Sequence, residues 1–154
     1  MPVTLRPASE PEVAAYLAHA RDHYVSERIR AGDAPVVAAR NADQSFSRAF
    51  PDGRPAPPNL VFTVEHDGRP AGVLWIGPQG AQTPDRWWVW DIVIDEAFRG
   101  QGVGRQTMLL AETEARARGA IELGLNVFAH NEVAAGLYRS LGYEVMAMQM
   151  RKPL

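Results

Sequence analysis

An apolar segment that runs into a glycine-rich turn and then into a helix constrains the fold of this chain more than any other feature. Trp87 to Ile94 is apolar on both faces except at Asp91, a pattern typical of a central strand covered on both sides. Arg99 to Gly104 (RGQGVG) follows after four residues, and Gly104 to Arg118 has the periodicity of a helix. A buried strand that feeds a helix in this way predicts a layered α/β structure.

The N-terminal half contains a strand, two helices and a hairpin. Ser9 and Glu12 form an S-x-x-E capping box, which predicts the start of a helix that ends near Gly32. Asp67-Gly68 is a strong hairpin signal between two alternating segments. The full prediction for this half is a strand at Val3 to Arg6, helices from Ser9 to Gly32 and Ala34 to Phe50, an exposed Pro-rich connector at Pro51 to Pro58, strands at Asn59 to Glu65 and Ala71 to Ile76, and a loop at 77 to 85.

The C-terminal half predicts a βαβ arrangement. After the helix that ends at Arg118, we predict a strand at Ile121 to Phe128, a helix at Asn131 to Leu141 and a closing strand at Tyr143 to Met150. An antiparallel first half joined to a βαβ second half predicts a single mixed sheet with helices on both faces, in the α/β (α+β mixed sheet) class. Because the first 50 residues are too few to bury a core alone, we expect residues 1–154 to form a single domain.

Composition excludes several classes of protein. With 16 Lys and Arg against 18 Asp and Glu, the formal charge of -2 provides no basic field for nucleic acid or an anionic membrane. The chain has no cysteine, so disulfides, thiolate metal sites and a cysteine nucleophile are excluded. No metal-ligand spacing surrounds His130. No signal-peptide pattern or membrane-length apolar run occurs, so we expect a cytoplasmic protein.

The glycine-rich turn predicts an anion site. Glycines allow close approach of the backbone to a ligand, and the unpaired amides of the following helix favour negative charge. Arg99 and Arg105 flank the turn, so a phosphate group is the natural ligand, with an ordinary strand-to-helix turn as the alternative. The turn lacks the Gly-Lys-Ser/Thr of a nucleotide-hydrolysing loop, and its glycine spacing differs from that of dinucleotide-binding folds.

Several motifs together resemble the GNAT superfamily of N-acetyltransferases. The pattern R-x-x-G-x-G after an apolar strand is similar to its acetyl-CoA signature, and LNVFAHNEVAAGLYRSLGYEV at 125 to 145 resembles the second half of its core. LRPAS at 5 to 9 is similar to its usual opening. The resemblance implies a mostly antiparallel sheet with a central splayed parallel pair. It also implies direct acetyl transfer from acetyl-CoA to a primary amine of a small molecule, peptide or protein, with no metal; dimers are common among relatives, so a homodimer is a further expectation.

The resemblance also implies which residues bind the cosubstrate. Backbone groups of Ile92, Val93 and Ile94 would pair with the pantetheine arm, although a plain core strand explains the same pattern. Asn131 is a natural helix N-cap, and by resemblance it would also hydrogen-bond the arm. The diphosphate would be held by Arg99, Gly100, Gln101, Gly102, Val103, Gly104 and Arg105.

Two residues are candidates for acid–base chemistry. Tyr138 lies on the apolar stripe of its helix, and by resemblance it would donate a proton to the departing CoA thiolate, with core packing as the alternative. Asp91 interrupts an apolar strand and is either the base that accepts the proton of the amine or a structural carboxylate bonded to backbone amides. Relatives commonly carry a glutamate where this chain has Trp88, and one or two of Trp87, Trp88 and Trp90 could line an acceptor pocket.

Two other functions remain open at the level of sequence. The missing glutamate is compatible with a noncatalytic acyl-CoA-binding or sensing module. An acetylating toxin or RNA-directed enzyme would also use this fold, but the charge of -2 and the lack of a basic run argue against it.

Overall fold

The protein contains five strands and four helices within residues 2–154, the part of the chain that the computed structural model describes. Short 3₁₀ turns occur at Pro51–Gly53 and Glu96–Phe98. The strands are β1 (Val3–Pro7), β2 (Leu60–His66), β3 (Arg69–Gly80), β4 (Thr83–Ile94) and β5 (Glu122–Leu125), and the helices are α1 (Glu10–Arg30), α2 (Pro35–Ala49), α3 (Val103–Ala117) and α4 (Glu132–Ser140).

The strands form one mixed sheet in the order β1-β2-β3-β4-β5. Strands β1 to β4 are antiparallel to their neighbours, whereas β4 and β5 are parallel and are connected through α3. A parallel pair needs a crossover of this kind, because a short hairpin can join only antiparallel strands. The predicted α/β class with a mixed sheet is therefore confirmed.

Local sequence signals account for the ends of the first elements. The Ser9 amide donates to the Glu12 carboxylate at 2.8 Å, and the Glu12 amide donates back to Ser9 Oγ at 3.4 Å, which completes the predicted capping box. Asp67 and Gly68 have φ values of 53° and 72°, so this pair makes the tight turn of the β2–β3 hairpin.

Helices cover the sheet on both faces, as the strand periodicity predicts. On one face, α1 and α2 pack against Val61 and Trp75. On the other face, Leu74 and Ile76 of β3 are fully buried in a cluster that includes Met108 of α3. Side chains alternate between these two clusters along β2 and β3 because successive residues of a strand point to opposite faces.

Two strand boundaries differ from the prediction. The segment predicted as a loop at 77 to 85 is mostly hairpin, because β3 continues to Gly80 and pairs with Thr83 of β4 across an irregularity in register. Conversely, β5 ends at Leu125 rather than Phe128, because its partner β4 no longer faces it beyond Val89.

The predicted closing strand at Tyr143 to Met150 is wrong. This segment is irregular, and the side chains of Val145, Met146, Met148 and Met150 are 61 to 89% exposed. Alternation of apolar residues indicates an extended chain, but a strand also needs a partner edge and a face to cover. The segment has neither in residues 2–154, and Arg151 holds its far end by contacts with Gly32 and Asp33.

No helix within residues 2–154 combines the length and apolar character needed to cross a membrane.

Two adjacent residues of α3 provide a test of this packing. Met108 is fully buried between the helix and the sheet, whereas Leu109 is 46% exposed. We expect Met108→Ala to lower the free energy of unfolding by about 2–5 kcal/mol because it leaves a cavity. Leu109→Ala should change it by less than about 0.5 kcal/mol. Urea unfolding of both variants measures the difference, and equal losses would contradict the assignment of the buried face.

Candidate active site

The parallel strands β4 and β5 separate partway along their length. They pair from Arg86 to Val89 of β4, where Val89 is opposite Leu125, and β4 then continues to Ile94 without a partner on that side among residues 2–154. On its other side β4 stays paired with β3, and Trp90 is the extra residue of a bulge in that ladder, between the pairs Ile76–Val89 and Trp75–Asp91. Alternate main-chain amides and carbonyls of the last β4 residues therefore face the gap between the two strands.

Ile92, Val93 and Ile94 lie at this gap, as predicted. Ile92 and Ile94 pack their side chains against the cluster beneath α3, so the core role is confirmed while their backbones border the opening. The Ile94 carbonyl accepts a hydrogen bond from Arg99 Nε at 2.8 Å, which ties the end of the strand to the glycine-rich turn. Pairing with a pantetheine arm stays a prediction.

The turn has the backbone conformation that its glycines allow. Gly100 and Gly102 have φ values of 73° and 78°, in the left-handed region, and no atom lies within 4 Å of the position that a Cβ would take at either residue. Gly102 is the N-cap of α3 and has no side chain to satisfy the first helical amides, beginning with Val103. Gln101 steadies the turn by donating to the Ala97 carbonyl at 2.8 Å. The turn is thus an open ring of amide donors that suits an anion.

The two arginines that flank the turn are both engaged with protein atoms. Arg99 is held by the Ile94 carbonyl, and Arg105 donates to the Ser140 hydroxyl at the end of α4. Gly104 packs close to Leu137, so the start of α3 lies directly beside α4. The flanking positive charges predicted from the sequence are therefore present at the turn, and Arg105 also links it to the helix that carries Tyr138.

Tyr138 of α4 is half-buried at the edge of the core, with its ring 6.1 Å from that of Tyr143. Burial raises the pKa of the Tyr138 phenol, and the negative charge of Asp91 adds to the shift. Within residues 2–154 the Tyr138 hydroxyl has no hydrogen-bond partner, whereas the neighbouring Tyr143 hydroxyl donates to Glu112 at 3.1 Å. Tyr138 is thus a protonated phenol whose hydroxyl is not committed to another side chain.

Asp91 faces α1 rather than the solvent. The Tyr16 hydroxyl donates to Asp91 Oδ2 at 2.7 Å. Burial raises the pKa of the Asp91 carboxyl, while the hydrogen bond from Tyr16 and the charge of His23 oppose that rise. The donor is thus a tyrosine that the sequence did not indicate, and both the structural role and the role of a base stay predictions.

Tyr16 is the site residue that sequence reasoning missed. It lies on the apolar stripe of α1 with Val13 and Ala20, and a tyrosine on such a stripe indicates a core residue rather than a site residue. A buried tyrosine hydroxyl needs a hydrogen-bond partner, and Asp91 was the buried carboxylate in need of one. The sequence contains both the tyrosine donor and the carboxylate acceptor, but they are 75 residues apart. Local sequence patterns therefore do not indicate that they meet.

Asn131 and His130 begin the last helix. Asn131 Oδ1 accepts a hydrogen bond from the Ala134 amide at 3.2 Å, so its role as N-cap is confirmed, and the predicted contact with the cosubstrate stays a prediction. His130 Nε2 contacts Glu27 Oε2 of α1 at 2.5 Å, and its ring stacks on Phe128. These contacts fasten the segment after β5 to the C-terminal part of α1.

The three tryptophans of β4 have different environments. Trp87 is buried beneath α3, as core packing predicts, and donates to the Pro84 carbonyl at 3.1 Å. Trp88 and Trp90 lie close to each other, with ring centroids 6.2 Å apart, and Trp90 is 41% exposed. Lining of an acceptor pocket by these residues stays a prediction.

The separation of β4 and β5 beside a glycine-rich helix start is the arrangement that the resemblance to N-acetyltransferases implies. Comparison with known proteins supports this class, because residues 14–143 match the model of the acetyltransferase (GNAT) family. The chain belongs to this family and is an N-acetyltransferase, an outcome that confirms the predicted enzyme class and disfavours a noncatalytic module.

The similar proteins support the same assignment along the whole chain. The N-acetyltransferase YycN of Bacillus subtilis, whose curated name calls it uncharacterized, is 29% identical over 156 residues, with all of both chains covered. Its crystal structure superposes with a TM-score of 0.87 over 99% of each chain. The N-alpha-acetyltransferase RimI of Mycobacterium tuberculosis is 32% identical over 96 residues, which span 62% of this chain and 59% of that protein.

The contact between Tyr16 and Asp91 generates a prediction about protonation. The hydrogen bond from Tyr16 lowers the pKa of Asp91, so Tyr16→Phe should raise that pKa further above its ordinary value. Loss of the donor to a buried carboxylate should also reduce the free energy of unfolding by about 1–3 kcal/mol at neutral pH. Carbon-detected NMR titration of the Asp91 carboxyl measures the shift directly.

Tyr24→Phe is the matched control, since Tyr24 also lies on α1 and packs on Phe46 without a side-chain hydrogen bond in residues 2–154.

Because the folded state holds the Asp91 proton more tightly than the unfolded state, its ionisation costs stability as pH rises from the ordinary aspartate pKa through the folded pKa. Asp91→Asn should remove this pH-dependent loss of folding stability. An unchanged titration midpoint in Tyr16→Phe would contradict the assigned contact.

Proposed function

We propose that this enzyme binds acetyl-CoA along the free edge of β4 and transfers its acetyl group directly to a primary amine. The observation that carries the proposal is the geometry of the gap, in which the unpaired end of β4 leads directly to the left-handed glycines Gly100 and Gly102. An extended pantetheine arm can add to a strand edge through main-chain hydrogen bonds. A diphosphate suits the amides at the start of α3.

The residues present fit acetyl-CoA at both ends of this path. The open space beside Gly100 and Gly102 leaves room for phosphate oxygens close to the backbone, where any side chain would intrude. Val103, Gly104 and Arg105 then present the first amides of α3, with Gln101 and Arg99 fixing the turn. Asn131, at the start of α4, is proposed to donate its amide to the arm.

The proposed reaction needs no covalent enzyme intermediate. The lone pair of the neutral amine forms the new C–N bond at the thioester carbonyl carbon, and the C–S bond breaks. Backbone amides near Ile92 to Ile94 stabilise the negative charge that develops on the carbonyl oxygen. The departing thiolate takes the proton of Tyr138, whose phenol is kept neutral by burial and by the charge of Asp91.

Asp91 is proposed to accept the proton that the amine must lose, directly or through a water molecule. Its raised pKa brings the carboxylate closer to the range useful for a general base, and Tyr16 fixes its position.

The sequence motifs support a range of acceptors, from small amines to peptide or protein amines. The single domain, the cytoplasmic location and the homodimer stay predictions.

The diphosphate assignment is tested by an alanine at a left-handed glycine. Gly102→Ala should raise the Kd of acetyl-CoA about tenfold, because its methyl group enters the space beside the turn that the phosphate oxygens would occupy. Isothermal titration calorimetry gives the Kd.

Gly119 is the matched control, because it has a φ of 88° and open space around it but follows the far end of α3. Gly119→Ala should cost similar stability and leave the Kd unchanged. Equal Kd values for both variants and the parent enzyme would rule out the turn as the diphosphate site.

The role of Tyr138 is tested by removing its hydroxyl. Tyr138→Phe should lower kcat by about 100-fold or more, while the Kd of acetyl-CoA changes little, because general-acid catalysis acts in the transition state. Release of the CoA thiol over a panel of primary amines measures the rate. Tyr143→Phe removes the neighbouring phenol, which donates to Glu112, and should keep most of the activity. An unchanged kcat in Tyr138→Phe would refute the role.

A further inference from the structure

On the sheet face that α1 and α2 cover, one large aromatic side chain of β4 stays exposed. Helices α1 and α2 pack over β2 and β3, where Trp75 is buried together with Phe46 and Phe50. On the same face the next aromatic ring along the sheet is Trp90 of β4, and it is 41% exposed. An indole of this size at a solvent-facing position beside a buried aromatic cluster is a surface suited to an apolar ligand.

The exposed indole is part of a row of rings that crosses the sheet. The ring of Trp90 is 6.0 Å from that of Trp75 and 6.2 Å from that of Trp88. The Trp88 ring in turn lies over Gly124 of β5, where an added Cβ would come within 2.4 Å of the indole. Gly124 therefore makes room for Trp88, and the row extends from β3 to β5 across the point where β4 and β5 separate.

Negative charge borders this row. Asp91 follows Trp90 directly, and its carboxylate points to the α1 side of the sheet, where it meets Tyr16. On α1, Glu27 lies on the same side as Tyr16 and His23, since the spacings of four and seven residues return to one helix face. Glu27 contacts His130 from the segment after β5. An ammonium group that approaches Trp90 thus meets an indole face and the neighbouring Asp91 carboxylate, both of which attract cations.

We propose that the acceptor is a primary amine carried on a flat, apolar, aromatic-sized body, which lies on Trp90 and Trp88 with its amine directed toward Asp91. This inference rests on the proposed function, because it takes the gap between β4 and β5 as the place where the amine meets the thioester. The indole faces supply the contact area for the body, and Asp91 supplies the charge that orients the amine. A small polar amine would leave both indoles uncovered.

Binding of two amines to the complex with CoA tests the inference independently of turnover. 2-Phenylethylamine and ethanolamine share the aminoethyl group and differ in the body attached to it. Titration calorimetry should give a Kd about tenfold or more lower for 2-phenylethylamine, since aromatic and cation–π contacts of this kind contribute about that factor. In Trp90→Ala the two Kd values should converge, and Trp90→Phe should keep most of the difference.

Leu109→Ala is the matched control, because it removes an exposed apolar side chain from the outer face of α3. The preference for 2-phenylethylamine should be unchanged in that variant. Equal Kd values for the two amines in the parent enzyme, or an undiminished preference in Trp90→Ala, would overturn the inference. If binding shows the preference and Tyr138→Phe leaves kcat unchanged, the surface is as proposed and the proposed mechanism is what fails.

Discussion

The site depends on the separation of β4 from β5. A parallel pair normally satisfies all of its inner main-chain groups by a continuous ladder, and here that ladder ends after the pairing of Val89 with Leu125. The bulge in the β3–β4 ladder bends β4 at Trp90. Strand β5 is only four residues long and ends at Leu125, opposite Val89. The main chain of β4 therefore retains unpaired hydrogen-bonding groups at its end. Main-chain groups of this kind bond to water or to a ligand, which gives the acyl donor its place in the proposed mechanism.

Two ionisable groups have different tasks in the proposed mechanism, Asp91 of β4 and Tyr138 of α4. Burial raises the pKa of both Asp91 and Tyr138, but the consequences differ because one group is a carboxyl and the other a phenol. Asp91 becomes a better proton acceptor when ionised, and its charge helps to keep Tyr138 protonated. Tyr16 limits the rise for Asp91 by donating to it. One short contact from α1 thus sets the balance between the proposed base and the proposed acid.

Much of the fold was predictable because its signals are local. The capping box at Ser9, the Asp67-Gly68 turn and the glycines after β4 each specify backbone geometry within a few residues, and the structure has each of them. Features that depend on distant partners were not predictable in this way. The alternation at Tyr143 to Met150 indicates an extended chain, but only the completed sheet shows that no partner edge receives it. The contact between Tyr16 and Asp91 likewise joins residues that are far apart in sequence.

The most direct test of the central claim is a crystal structure of the enzyme with CoA bound. We predict that the pantetheine arm lies along β4 from Ile92 to Ile94, that the diphosphate contacts the amides of residues 100 to 105, and that the sulfur lies beside the Tyr138 hydroxyl. Trp90 should remain uncovered in that complex and border the space next to the sulfur. CoA bound elsewhere on the protein, or bound at the turn with its sulfur directed away from Tyr138, would contradict the account.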